Sequence, residues 1–317
     1  MGKKGIIALS SLGVLIILIL TGARLFFSRP PVLVVSDLSI EGIYGPSRLF
    51  LKQAELSLKL RRPVRNVRVS NDAGEDVVVF TIESASENPF CVLFPYHYNR
   101  EARRYAREYP GVPVGILVNR YPDIFPPEEG TVTILATDPV LDFYRAGRCA
   151  AILAQAGLPG AATGETAEGA PSRGDIQVFY DDPIPASAQE AFKQGLEEEG
   201  YEFFPLYLSG ASDYQAADSV SCAVIYGSAA GFLEKNPRIP VVLFSWIDPA
   251  NTPNIVKVIA DDSPWTLAIP AVKIITGEED NKEIPSVLTV FNRRLGEKER
   301  AKKIKRAALG LLPKENE

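Results

Sequence analysis

A single histidine in 317 residues, His97, excludes any metal centre that needs two or more imidazoles. Cysteine is scarce as well: Cys91, Cys149 and Cys222 are widely spaced, each inside an apolar run (FCVLF, RCAAIL, SCAVIY). An odd, scattered set without CxxC or Cys/His spacing is neither a disulfide framework nor a zinc site, so all three read as small core residues. Excess positive charge is also missing, since the chain carries a net charge of −5 and a pI of about 5.3. That excludes a nucleic-acid binder of the generic basic kind and leaves a small molecule or a protein as partner. Enzyme signatures are lacking too: there is no GxGxxG after the first apolar run, no GxxxxGK[ST], no GxSxG and no HExxH. The pairs Asp181/Asp182 and Asp261/Asp262 are adjacent on extended chain and point to opposite faces, which disfavours acid/base work by either pair. No catalytic residue, metal or cofactor is expected, and the chain does not read as an enzyme.

What is present begins with an apolar stretch. After Lys3 and Lys4, residues Gly5 to Ala23 (GIIALSSLGVLIILILTGA) run 19 positions without a charge, close to the length that crosses a bilayer as a helix. No small-x-small cleavage site follows and no cysteine offers a lipid anchor, so an uncleaved signal anchor is expected over a removed signal peptide. The Lys3/Lys4 pair favours a cytoplasmic N-terminus, against Arg24 and Arg29 on the other flank. The expectation is a single-pass protein of the cell membrane whose bulk is extracytoplasmic.

From Pro31 onward, short apolar runs alternate with longer amphipathic segments in a chain of 46% hydrophobic content and mean hydropathy +0.02. PVLVVSD, VRNVRVS, DVVVFTI, CVLFPYH, VPVGILV and TVTILATD read as strands, while SRLFLKQAELSLKL and NREARRYAREY read as helices, the second capped by Asn99. DPVLDFYRAGRCAAILAQAG has a clear helix start, with Asp138 as cap and Pro139 in the first turn. It runs into 157–174, a Gly/Ala/Pro/Thr-rich stretch expected as a flexible loop. The alternation then restarts with strands DIQVFYDD, EFFPLYL, SCAVIYGS, IPVVLFSWID, NIVKVIADD and SVLTVF, and helices SAQEAFKQGLEEEG, SAAGFLEK and SPWTLAIPAVKIITG. Two successive sets of βα units predict a two-lobed α/β protein with parallel sheets, preceded by one transmembrane helix. The expected partition is an anchor at 1–29, a first lobe of 30–137 and 256–291, a second lobe of 138–255 and a basic tail of 292–317. Arg293 to Leu312 holds eight basic and two acidic residues, a net +6 that leaves −11 for the rest. It reads either as a surface for an anionic bilayer or as a solvated helix.

In open α/β sheets ligands bind at the carboxyl ends of the strands. The expected strand ends read VVSD37, FPYHYN99, LATD138, VFYDD182, IYGS228, SWID248 and IADD262, five of seven finishing in aspartate. Asp138 is a ready helix cap, and Ser263 before Pro264 is another, which frees Asp262 from that duty. No following helix start claims Asp37, Asp181 or Asp248. Aromatic residues accompany them, among them Tyr44, Tyr98, Phe143, Tyr144, Tyr226 and Trp246. Aromatic faces with convergent carboxylates suit a planar or sugar-like ligand and disfavour anionic ones. His97, at such a strand end, is left either as a ligand contact or as a polar residue satisfied by neighbouring backbone.

The two-lobed order, the helix DFYRAGRCAAILAQAG, the segment EAFKQGLEEEGYEFFPL and the region SWIDPANTPNIVKVIADDSPWTLAIPAVKII resemble type I periplasmic solute-binding proteins. The likeness covers about residues 31–290 and is nearest to the basic membrane protein, or purine-nucleoside-receptor, branch. It implies a Venus-flytrap receptor that closes two lobes over one small solute and presents it to an ABC-type permease. By the same resemblance Asp37 matches the first-strand acid, His97 and Tyr98 the first-lobe loop, Phe143 and Tyr144 the start of the AG helix, and Trp246 and Asp248 the second-lobe acid loop. The family's first-loop motif is replaced by SDLSIEGIYGPS. That departure keeps open an alternative, a ligand-free or ligand-sensing flytrap acting as a signalling or scaffold module at the membrane.

Overall fold

The computed structural model describes residues 21–37, 46–70, 73–118, 132–155, 175–181, 183–202, 205–210, 214, 216, 219–227, 229–244, 253–261, 264–280, 283–284, 286–291, 295 and 298–311. Its strands are β1 (Val32–Ser36), β2 (Val64–Arg68), β3 (Cys91–Pro95), β4 (Val114–Val118), β5 (Val132–Thr137), β6 (Asp175–Tyr180), β7 (Leu206–Ser209), β8 (Val220–Tyr226), β9 (Val241–Leu243), β10 (Val256–Asp261), β11 (Glu283–Ile284) and β12 (Val287–Val290). The helices are α1 (Pro46–Leu60), α2 (Glu75–Ala85), α3 (Asn99–Glu108), α4 (Pro139–Ala154), α5 (Ala186–Glu198), α6 (Ala230–Lys235), α7 (Pro264–Ile275) and α8 (Lys298–Ala308).

Two six-stranded sheets result, ordered β11-β5-β4-β3-β1-β2 and β12-β10-β9-β8-β6-β7. The permutation 2-1-3-4-5 of the first sheet recurs as 7-6-8-9-10 in the second, so one doubly wound pattern is used twice. β1 pairs in parallel with β2 and β3, β3 with β4, β6 with β7 and β8, and β9 with β8 and β10, whereas β12 joins β10 antiparallel. Parallel strands lie between helical layers, which is why β1, β3 and β4 are buried along their whole length and are apolar without alternation.

Packing divides the chain into two units. One gathers the described residues up to Leu117, those of 132–134 and Ala268–Asp280; the other gathers Val118, those from Leu135 to Leu267 and those from 283 onward. β10, expected in the first lobe from its place in the chain, extends the second sheet instead, because its edges pair with β9 and β12. The stretch DVVVFTI, expected as a strand, lies in α2. Its β-branched run hides a helical period: Val78, Val79 and Ile82 are buried on one face, and Glu75 and Asp76 sit in the first turn, where the helix dipole favours acids.

Within the second unit, α4 and α5 meet backbone to backbone. A Cβ placed on Gly147 would collide with the Phe192 carbonyl oxygen, and one on Gly195 with the Tyr144 carbonyl oxygen. α4 begins as its sequence predicts: the Asp138 side chain accepts from the Leu141 amide at 2.9 Å, and Pro139 occupies the first turn. Beneath it, Cys149, Ala150, Phe192, Cys222 and Val224 form one core with Ile304 and Ala307 of α8. Burial pushes the thiols of Cys91 and Cys149 up to about 12 and raises that of Cys222 as well. Gly147→Ala gains about 1 kcal/mol in helix propensity but forces the helices apart. The expected net result is a loss of about 1–3 kcal/mol, read as a lower denaturation midpoint; an unchanged or raised midpoint would contradict the close approach.

Candidate functional site

In a 2-1-3-4-5 sheet the chain runs in opposite directions around the sheet on either side of the gap between strands 1 and 3. The loops leaving those two strands diverge and open a crevice at their carboxyl ends. In the first sheet those loops begin at Asp37, directly after β1, and at Tyr96, directly after β3. In the second they begin at Asp181, after β6, and at Gly227, after β8.

At the first switch point a 3-10 turn, Tyr96–Tyr98, brings His97 back over β1. His97 Nε2 lies 2.8 Å from Asp37 Oδ2, and the Tyr98 hydroxyl lies 3.4 Å from the same oxygen and 3.3 Å from the Ser70 carbonyl oxygen. The His97 and Tyr98 rings are 4.4 Å apart between centroids. Only 4% of the Asp37 side chain is exposed, against 52% of that of His97. A carboxylate only accepts hydrogen bonds, so Nε2 carries the proton that His97 donates. Nδ1 has no hydrogen-bond partner among the described residues. Behind this group Ser36 donates to Asn66 Oδ1.

At the second switch point the Asp181 amide donates to the Tyr226 carbonyl at 3.1 Å, tying the two loop starts together. Gly227 has φ +145°, and a Cβ there would strike the Asp181 carboxylate, so the missing side chain is what lets Asp181 lie across the loop. Next to it Phe143 stacks on Phe244 at 4.5 Å and meets Tyr226 edge-on at 5.3 Å. Phe143 is fully buried and Tyr226 is 8% exposed, so their rings are packed by the protein itself. Tyr144 is likewise buried and donates to Glu198.

The structure thus brings together Asp37, His97 and Tyr98 in one unit, and Phe143 and Tyr226 beside Asp181 in the other. Tyr44, Trp246, Asp248 and Asp262 lie outside the described residues. Asn99, expected as a cap, is the first residue of α3, and its side chain accepts from Arg103 Nε at 2.9 Å instead. Among the described residues no group of three or more His, Cys, Asp or Glu is placed to hold a metal ion. Most of Gly5 to Ala23 also lies outside them, and among the described residues no helix is long and apolar enough to cross a membrane.

Sequence reasoning missed Asp142. This first-turn residue of α4 is 2% exposed and reaches the link between β11 and β12, where it accepts from the Ser286 amide at 2.9 Å and its hydroxyl at 2.6 Å. Its only sequence signal is an acid among apolar neighbours (PVLDFY), and its partner lies 144 positions away.

Burial pushes the Asp142 carboxyl up to about 7 from an ordinary 3.8; the two Ser286 bonds oppose that shift, Asp138 adds to it and Arg145 opposes it. An acid that holds its proton longer when folded loses stability as pH rises, because the unfolded chain ionises first. Stability is therefore expected to fall between about pH 4 and about pH 7 and then level off. Asp142→Asn removes that slope; a denaturation midpoint with the same pH dependence in both proteins would refute it.

Two doubly wound, mainly parallel sheets, each with a polar group at its switch point, make an α/β fold like that of periplasmic binding proteins. A solved structure shares that fold. An ABC transporter system solute-binding protein from Conexibacter woesei superposes with a TM-score of 0.53 at 12% identity, covering 89% of this chain and 95% of that one. A periplasmic ribose ABC transporter from the same organism gives 0.48 at 13% identity, with 90% and 96% covered. A carbohydrate transporter solute-binding protein from Agrobacterium radiobacter, in complex with D-arabinose, gives 0.45 at 13%, with 87% and 99% covered. No protein-family profile and no curated protein sequence matches the chain.

Proposed function

We propose that the chain is a membrane-anchored, extracytoplasmic solute-binding protein that takes up one small, hydroxyl-rich ligand, nucleoside- or sugar-like, by lobe closure and delivers it to an ABC-type permease. The observation that carries this reading is the pairing of chemistry with topology: Asp37 and His97 stand at the switch point of one sheet, Asp181 and Gly227 at that of the other. The likeness in fold to the ABC transporter system solute-binding protein from Conexibacter woesei supports it at the level of class.

His97 is the polar contact of the first unit. Asp37, nearly buried, holds the half-exposed ring through Nε2, which leaves Nδ1 as the ring atom for a ligand hydroxyl. In the second unit the Asp181 carboxylate takes ligand hydroxyls, and the aromatic group of Phe143, Tyr226 and Phe244 backs the same edge. Ligand stabilises the closed state because only that state touches it from both lobes. No bond is made or broken in the protein or the solute.

Calorimetry and thermal shift against a panel of pentoses, hexoses, nucleosides and amino acids test the proposal. A binding solute raises Tm, and His97→Ala weakens it by about 10-fold, the loss of one hydrogen bond of typical strength. A panel that leaves Tm unmoved, with no small molecule co-purifying, sinks the reading. Full affinity in His97→Ala removes His97 from the site.

A further inference from the structure

The basic C-terminal segment is not a loose tail over its helical part. α8 lays Ala301, Ile304, Ala307 and Ala308 into the core beneath α4. Cys149 Sγ donates to the Ile304 carbonyl at 3.8 Å, and Arg145 Nε to the Gly310 carbonyl at 2.8 Å. With its apolar side already occupied, the helix has a fixed rotation, and that rotation decides what it shows outside.

At 100° per residue, Lys302 and Arg306 point opposite the buried side, as Glu299 does, and Lys298, Lys303 and Lys305 lie on its two flanks. All five of these basic residues are exposed. Leu309 follows in the next turn close to the angular position of Lys302, 77% exposed, and Leu311 is 76% exposed beyond it. The acid on the helix, Glu299, is spent on Lys302 at 2.6 Å. Among the described residues no ion pair reaches Lys303, Lys305 or Arg306. The helix carries six basic residues and one acidic, on a chain whose total is −5. An acidic protein that concentrates cations on one rigid face, and ends that face in two bare leucines, presents the two properties that an anionic bilayer surface rewards: charge attraction and shallow apolar insertion.

We infer that the outer face of α8 is a membrane-contact surface: Lys298, Lys302, Lys305 and Arg306 engage anionic lipid headgroups, and Leu309 and Leu311 enter the boundary beneath them. The partner is the bilayer itself, and the 19-residue uncharged segment Gly5 to Ala23 in the same chain independently suits a protein held at one. The contact does not depend on which solute is bound or on whether one is.

A fluorophore on Leu311→Cys in the full chain reports the contact, with vesicles of phosphatidylcholine alone or mixed with phosphatidylglycerol, both carrying a headgroup quencher. Quenching is expected to be severalfold stronger on the anionic vesicles and to drop toward the neutral level at high salt. Each basic residue near the surface contributes about fivefold in partition, so Lys302→Gln, Lys305→Gln and Arg306→Gln together reduce it on the order of a hundredfold. These side chains are exposed, and an unchanged Tm in the triple variant confirms that only the surface was altered. Equal quenching on both vesicle types overturns the inference, as does quenching that survives the triple substitution. Salt-sensitive binding of the same face to a polyuridylate probe, without any lipid preference, overturns it in favour of a nucleic-acid polyanion.

Discussion

Two glycines set the terms for the second unit. Because Gly147 and Gly195 let α4 and α5 touch through their backbones, α4 is fixed both along and about its axis to within a fraction of a side chain. Its partners follow from that placement. Asp138 caps it at the end of β5, Asp142 reaches Ser286, Phe143 meets Phe244 and Tyr226, Arg148 pairs with Glu199 at 2.6 Å, and Cys149 meets α8. A side chain at either glycine would move every one of these contacts together.

The two sheets repeat one winding but not one chemistry. The first switch point holds a buried acid that turns an exposed imidazole outward, whereas the second holds an acid laid over a glycine. Equivalent positions in the topology therefore carry different functional groups, an imidazole in one unit and a carboxylate in the other.

Much of this was legible from residue patterns. Unbroken apolar runs such as VLVV and VGILV marked strands buried on both faces, and the Asp-Pro start of α4 marked its own first turn. The aspartates read at the ends of the first strand of each set do follow β1 and β6. Three features escaped. The helix in EDVVVFTIESA was hidden by β-branched residues whose burial period shows only once a sheet lies beneath them. The lobe to which β10 belongs depended on pairing, which sequence order does not encode. The roles of Asp37 and His97 were legible only as candidates: their proximity was not written in a separation of 60 residues, and neither was the burial that makes one of them hold the other.

The margins of the sheets have their own consequence. At one border of the first sheet β11 is two residues long, and at the other β2 turns Arg65 and Arg68 to solvent. The second sheet is bordered by a four-residue β7 and by β12, which runs against its neighbour. Brief, charged or reversed borders give a stray strand little to add itself to. A protein built around two large, mainly parallel sheets is thereby guarded against fibrillar growth from its own edges.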